Sequence, residues 1–278
     1  AWVTYFVDGA QGDATPKKKD KKGDDPFAAT LALRFIPAGG PAGPTTVLSK
    51  RALSMGGVAI APAPGDKRES VVAWTARDQG VPQVFVTKVG PDGKKIAQKA
   101  VTVVARKKRE GLPSEPSDVA IAWAGGAGLD DGWIVSWIDT RDGNAEVYAA
   151  RIDRDLKKVV PDRRITQSPG DAGEVQIAVR GNQTYLAFAD ARGTAGQDEA
   201  DPYVVRIDTR TLAKIGEETR VFASAPHSRT PVLSATAGGA LMAWIEESPT
   251  EGGNPKGKKS GTAEEAGLRV AQIDDKGA

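Results

Sequence analysis

Along the chain, short apolar runs alternate with clusters of Gly, Pro, Asp and Asn, and no long stretch keeps a helical period. Brief, evenly spaced runs with turn signals between them predict an all-β fold. The clearest example lies near the C-terminal end. Thr230 to Ala235, Ala240 to Ile245 and Leu268 to Ile273 read as three consecutive strands, A, B and C. A fourth strand, D, is expected at Thr219 to Ala223, and earlier at Thr46 to Ser49, Ala100 to Val104 and Arg163 to Thr166. Connectors such as Ala237-Gly238-Gly239 and Arg180-Gly181-Asn182 suit hairpins that need positive φ.

Three columns of residues recur in phase. One is a large aromatic after a small or β-branched residue: Tyr5, Trp74, Trp137, Phe188 and Trp244, at spacings of 69, 63, 51 and 56. A second pairs a long polar residue with an apolar one, at Arg34-Phe35, Lys88-Val89, Arg151-Ile152, Arg206-Ile207 and Gln272-Ile273. The third sets Ile or Leu before Ala or Ser, at Ile60-Ala61, Ile121-Ala122, Ile177-Ala178 and Leu233-Ser234. A repeat of this length with four strands per unit predicts a β-propeller of four-stranded antiparallel blades. The small residue in strand A fits the crowded axis, and the aromatic in strand B fits the wedge that opens outward.

The expected blades span approximately 1–50, 56–106, 117–167, 173–224 and 229–278, the first without its A strand and the last without its D strand. That makes 18 strands. Both ends fall within strand-like sequence, so the expectation is a monomeric ring segment of a longer chain.

Trp133 to Asp153, reading WIVSWIDTRDGNAEVYAARID, resembles the W-x-D-x-R-x-G-x-x-[DE]-[IV]-Y repeat of secreted and envelope-associated bacterial β-propellers. These are related in architecture to the sialidase-like superfamily. Thr230 to Trp244 is similar to the part of that repeat before it. The pattern departs at Ala76, where the Asp is absent, and at Glu246. No S-x-D-x-G-x-x-W box is present. The resemblance implies an extracellular, periplasmic or cell-surface location.

Composition narrows the chemistry. The 278 residues include no Cys and one His (His227), which removes disulfides, thiolate catalysis and His-clustered metal sites. No metal or cofactor motif stands out. Lys and Arg exceed Asp and Glu by two, which argues against a nucleic-acid partner. No apolar run is long enough to span a bilayer as a helix. Asp139 with Arg141, and Asp190 with Arg192, recur at one place in two units and are the candidate binding pairs. The competing reading makes the Asp a turn cap and the Arg its charge partner. Tyr5, Tyr148, Tyr185 and Tyr203 all read as packing residues, and no catalytic carboxylate pair is visible in the sequence.

From the strand B aromatic to the strand C polar residue, the units count 29, 14, 14, 18 and 28 residues. The insertions, Gly9 to Asp25, Gly193 to Asp201 and Ser248 to Glu265, therefore gather in B–C connectors, on the face these share with the D–A connectors. Two are Lys-rich, one of them carrying Lys17, Lys18 and Lys19. The expectation is a non-catalytic binding or scaffold module that contacts a protein or glycan on that face. The alternatives are a sialidase-like glycoside hydrolase and a polyanion binder using the Lys-rich loops.

Overall fold

The structure is a computed structural model and describes residues 2–7, 28–37, 39–53, 56–65, 68–78, 81–103, 116–126, 128–192, 200–223, 227–247 and 267–274. Among these are 18 strands and no helix long and apolar enough to cross a membrane. The first blade holds β1 (Trp2–Val7), β2 (Ala28–Phe35) and β3 (Thr45–Leu53). The second holds β4 (Val58–Pro62), β5 (Ser70–Asp78), β6 (Val81–Val89) and β7 (Lys95–Ala100). The third holds β8 (Ser117–Trp123), β9 (Gly132–Asp139), β10 (Glu146–Asp153) and β11 (Lys158–Arg164). The fourth holds β12 (Ala172–Arg180), β13 (Gln183–Asp190), β14 (Asp201–Asp208) and β15 (Lys214–Arg220). The fifth holds β16 (Ser228–Thr236), β17 (Gly239–Glu246) and β18 (Gly267–Asp274). Every neighbouring pair is antiparallel, and one pairing, Ala52 opposite Ala76, joins the first two blades into a continuous sheet. The architecture is a β-propeller.

Alternation along each strand explains how the blades hold together. Neighbouring side chains of one strand point into different cores. Val72 joins Leu31, Leu33 and Trp74 between blades one and two, while Val71 joins Val84, Trp137 and Tyr148 between two and three. Ile134, Val147, Phe188 and Val205 fill the next seam, and Tyr185, Val204, Met242 and Trp244 the last. Four apolar seams thus hold five blades. The inner strands β4, β8, β12 and β16 line up side by side in that order about the axis.

The aromatic column holds one register: Trp74, Trp137 and Phe188 face Phe85, Tyr148 and Tyr203 across the B–C ladder. These pairs stack at centroid distances of 5.0, 6.2 and 5.9 Å. In the first blade the two columns are out of phase by one residue. There Tyr5 stands opposite Ala32, two residues before Arg34, whereas the other partners precede their polar residue by three.

The D strands are corrected. Three of them lie earlier than expected, at β7, β11 and β15, and overlap the expected spans only at their ends. The apolar residues that suggested them belong to the segment returning from D. Val101, Ile165 and Val221 donate N–H bonds back to Val84, Val147 and Pro202 on strand C, each at 2.8 Å. The true D strands are the polar outer edges of their sheets, with sequences such as KIAQKA and KIGEETR.

Candidate functional site

A cavity of about 250 Å³ opens where strands β4, β8, β12 and β16 begin, at the axis on the face that carries the B–C turns. Its wall repeats one local device. The β8–β9 register slips between Ser117 and Ala120, the β12–β13 register between Gly173 and Gln176, and the β16–β17 register between Arg229 and Val232. Each slip is a β-bulge, which bends the strand and re-aims a side chain. Inside each bulge one residue adopts left-handed backbone: Asp118 (φ 47°), Glu174 (φ 57°) and Thr230 (φ 54°). Gly57 (φ 71°) holds the corresponding station in the second blade, immediately before β4. All four lie three residues ahead of the Ile or Leu of strand A, and all four line the cavity.

Such a conformation costs a non-glycine residue about 1–2 kcal/mol. What holds it is a ladder between blades. Asp118 Oδ2 accepts the N–H of Glu174 at 3.1 Å, and Glu174 Oε2 accepts the N–H of Thr230. Arg229 stands 3.7 Å from the other Glu174 oxygen and 3.2 Å from Glu247. A hydrogen bond to a charged group contributes about 1.5–3 kcal/mol, enough to offset the backbone strain at each rung. Two carboxylates from adjacent blades are thereby fixed at the mouth of one cavity. Glu174 keeps 32% side-chain exposure, so it remains open to a ligand. The other lining groups are largely apolar, among them Val58, Val119, Val175 and Val232.

The Asp–Arg pairs expected from the sequence lie where β9 and β13 run into their B–C turns and do not line the cavity. Asp139 ends β9 fully buried; its carboxylate accepts the N–H of Arg141 at 2.9 Å, the Arg141 Nε at 2.8 Å and the indole N–H of Trp137 at 3.1 Å. Arg141 reaches on to Asp162 at 3.1 Å and lies 4.7 Å above the Tyr148 ring. One blade later, Asp190 accepts the N–H of Arg192 at 2.8 Å and its guanidinium at 2.6 Å, while Arg192 pairs with Glu218 and lies 4.5 Å above Tyr203. The structure therefore unites each Asp with its Arg but leaves the two pairs in separate B–C turns. Lys17, Lys18 and Lys19 lie outside the described residues, as do most of the Gly193 to Asp201 insertion and the whole of Ser248 to Glu265.

The tyrosines whose side chains are described sit within the blades. Burial, and then the hydrogen bond to Asp142, push the Tyr148 phenol above its ordinary range. Tyr185 donates to Gln183 at 2.9 Å, and burial also raises the Tyr203 phenol. His227, half-buried, accepts the N–H of Ala200 on Nδ1 at 2.9 Å.

Asp118 and Glu174 escaped the sequence reading because a bulge has no hydrophobic period of its own. A signal existed nonetheless: an acidic residue followed by Val, at Asp118-Val119 and Glu174-Val175, 56 residues apart and in phase with the strand A column.

No protein-family profile matches the chain, and no curated protein matches it. Solved structures of similar architecture do. A TolB candidate from Agrobacterium tumefaciens aligns at 13% identity and TM-score 0.49, over 90% of this chain and 73% of that one. A GH93 alpha-L-arabinofuranosidase from Fusarium graminearum, solved with arabinobiose, aligns at 12% and 0.49, over 77% of this chain and 66% of that one. A GH43 endo-arabinanase from Bacillus licheniformis aligns at 12% and 0.43, over 91% and 93%. At these identities the likeness concerns the fold. The expectation of a non-catalytic binding or scaffold module is corrected at this point. Glycosidases are among the solved structures of similar architecture. Asp118 and Glu174 are two acids on one cavity that the sequence alone did not bring together.

Proposed function

We propose that the chain carries the reaction centre of a glycoside hydrolase in its axial cavity, with Asp118 and Glu174 as the paired carboxylates. The observation that carries this reading is the placement of two acids, from adjacent blades and on matching bulges, at the mouth of one cavity. Glycosidases commonly use two carboxyl groups flanking the scissile bond: one protonates the departing glycosidic oxygen, and the other acts on the anomeric carbon directly or through water. The C–O bond breaks, and a water oxygen ends on the anomeric carbon.

The charge of the site supports a neutral substrate. Among the described lining residues two are carboxylates and none is cationic; Arg229 is already paired with Glu174 and Glu247, so the site offers no unpaired cation to a sialic or uronic acid. The raised phenol of Tyr148 and the placing of Tyr185 and Tyr203 inside the blades argue against the tyrosine-nucleophile route of sialidases. An exported location, implied by the repeat resemblance, goes with this reading.

The test is release of reducing ends from arabinan, xylan and other neutral glycans by the full protein, with Asp118→Asn and Glu174→Gln alongside. Both amides keep an oxygen that can accept the next blade's N–H, so the ladder survives while acid–base chemistry is lost. General acid–base catalysis contributes roughly 10²–10⁴-fold, and each variant should lose that much turnover while staying folded, its melting temperature lowered only by the loss of charge from its rung and, in Glu174→Gln, from the Arg229 pair. Turnover in either variant equal to that of the parent protein, or none from the parent on the whole glycan panel, overturns the proposal.

A further inference from the structure

The ladder around the cavity changes character at one place. Glu174 and Thr230 each receive an acceptor oxygen from the bulge residue of the preceding blade. By the same step, the N–H of Asp118 would receive its acceptor from residue 57, which is Gly57 and has no side chain. The station is not too tight for one. A Cβ built on Gly57 would stand 3.6 Å from the nitrogen of Val119 and 3.7 Å from Cα of Asp118, ordinary contact distances. Gly57, Asp118 and Val119 all line the cavity, so the place where the third carboxylate would lie belongs to the cavity itself.

We infer that this seam between β4 and β8 is a ligand subsite, in which the N–H of Asp118 donates to an oxygen of a bound neutral sugar. The inference rests on the reading of the cavity as a glycan site and adds its specificity element. The sugar hydroxyl stands where a side chain at position 57 would, and takes the part that the Glu174 carboxylate plays toward Thr230. Val58 and Val119 flank the seam and present apolar surface to the ring carbons. The subsite thus combines one fixed donor with an apolar wall, the usual composition of a small-molecule site. Glycine at this station keeps the seam open, and any larger residue capable of accepting would close the ladder and exclude the sugar.

The experiment tracks the Asp118 amide resonance in ¹⁵N-labelled protein while xylotriose, arabinotriose or maltotriose is added. Gly57→Asp and Gly57→Ala are compared with the parent protein. Both variants place a Cβ in left-handed backbone at φ 71°, which Asp tolerates better than Ala, and only Asp supplies an acceptor. The expected result is a downfield movement of the parent Asp118 amide with at least one of the sugars. In Gly57→Asp the resonance should already lie downfield and no longer respond, whereas in sugar-free Gly57→Ala it should stay near its parent position. An Asp118 amide silent to all three sugars in the parent protein overturns the subsite, as does one that still responds in Gly57→Asp. Turnover separates the two proposals: a responding amide without hydrolysis keeps the subsite and removes the hydrolase, and hydrolysis with a silent amide does the reverse.

Discussion

Asp139 shows how one residue can serve a whole blade. Its carboxylate has no exposure, yet it accepts from a backbone N–H, a guanidinium and an indole. Arg141 in turn covers the Trp137 and Tyr148 rings. Removing one partner of a buried pair costs about 3–5 kcal/mol, because the other charge is left without compensation. Asp139→Ala should therefore lower the melting temperature by roughly ten degrees, at about 2–4 °C per kcal/mol for a domain of this size. Lys94→Ala supplies the contrast. Its partner Asp92 is an exposed neighbour in a C–D turn, and pairs of that kind contribute little, so melting monitored by circular dichroism should be unchanged. Equal effects from the two substitutions would show that the Asp139 cluster is not a stabilising unit.

At the scale of strands, legibility tracked burial. Strands β9 and β10 are buried along almost their whole length, and their apolar runs marked them in the sequence. The outer strands β7, β11 and β15 lie largely toward water and read KIAQKA, KVVPDRR and KIGEETR, with charged and amide residues breaking every apolar run. The apolar pattern instead picked out the segment just after each D strand, where Val101 and Ile165 turn back into the seams. Asp118 and Glu174 were hidden for a related reason: their bulges interrupt the two-residue period that announces strand A. Burial also decides the energetics of these edges. Ile165→Ala, at a site packed into the seam between blades three and four, should cost about 2–5 kcal/mol. Val159→Ala on the exposed edge of β11 should stay within about 0.5 kcal/mol of the parent. Urea midpoints of the two variants check this, and a reversed order would place the D strand where the apolar pattern first suggested.

Across the whole molecule, stability resides in the seams. A four-stranded sheet of this width has no core of its own, and each seam is made by the two blades that flank it. In such arrays stability is close to a sum of unit and nearest-neighbour terms, so damage should spread unevenly from blade to blade. Trp137 tests this because it belongs to the seam between blades two and three and is fully buried. Trp137→Ala should cost about 3–5 kcal/mol and weaken both walls of that seam. Hydrogen exchange of the folded variant should then quicken first in β5, β6, β9 and β10. The ladder of β17 and β18 rests on a different core, built from Met242, Trp244 and Ile273, and its amides should keep the protection they have in the parent protein. If all blades lose protection together, they unfold as one cooperative body, and the axial ladder of Asp118, Glu174 and Thr230 couples the blades more tightly than their apolar seams do.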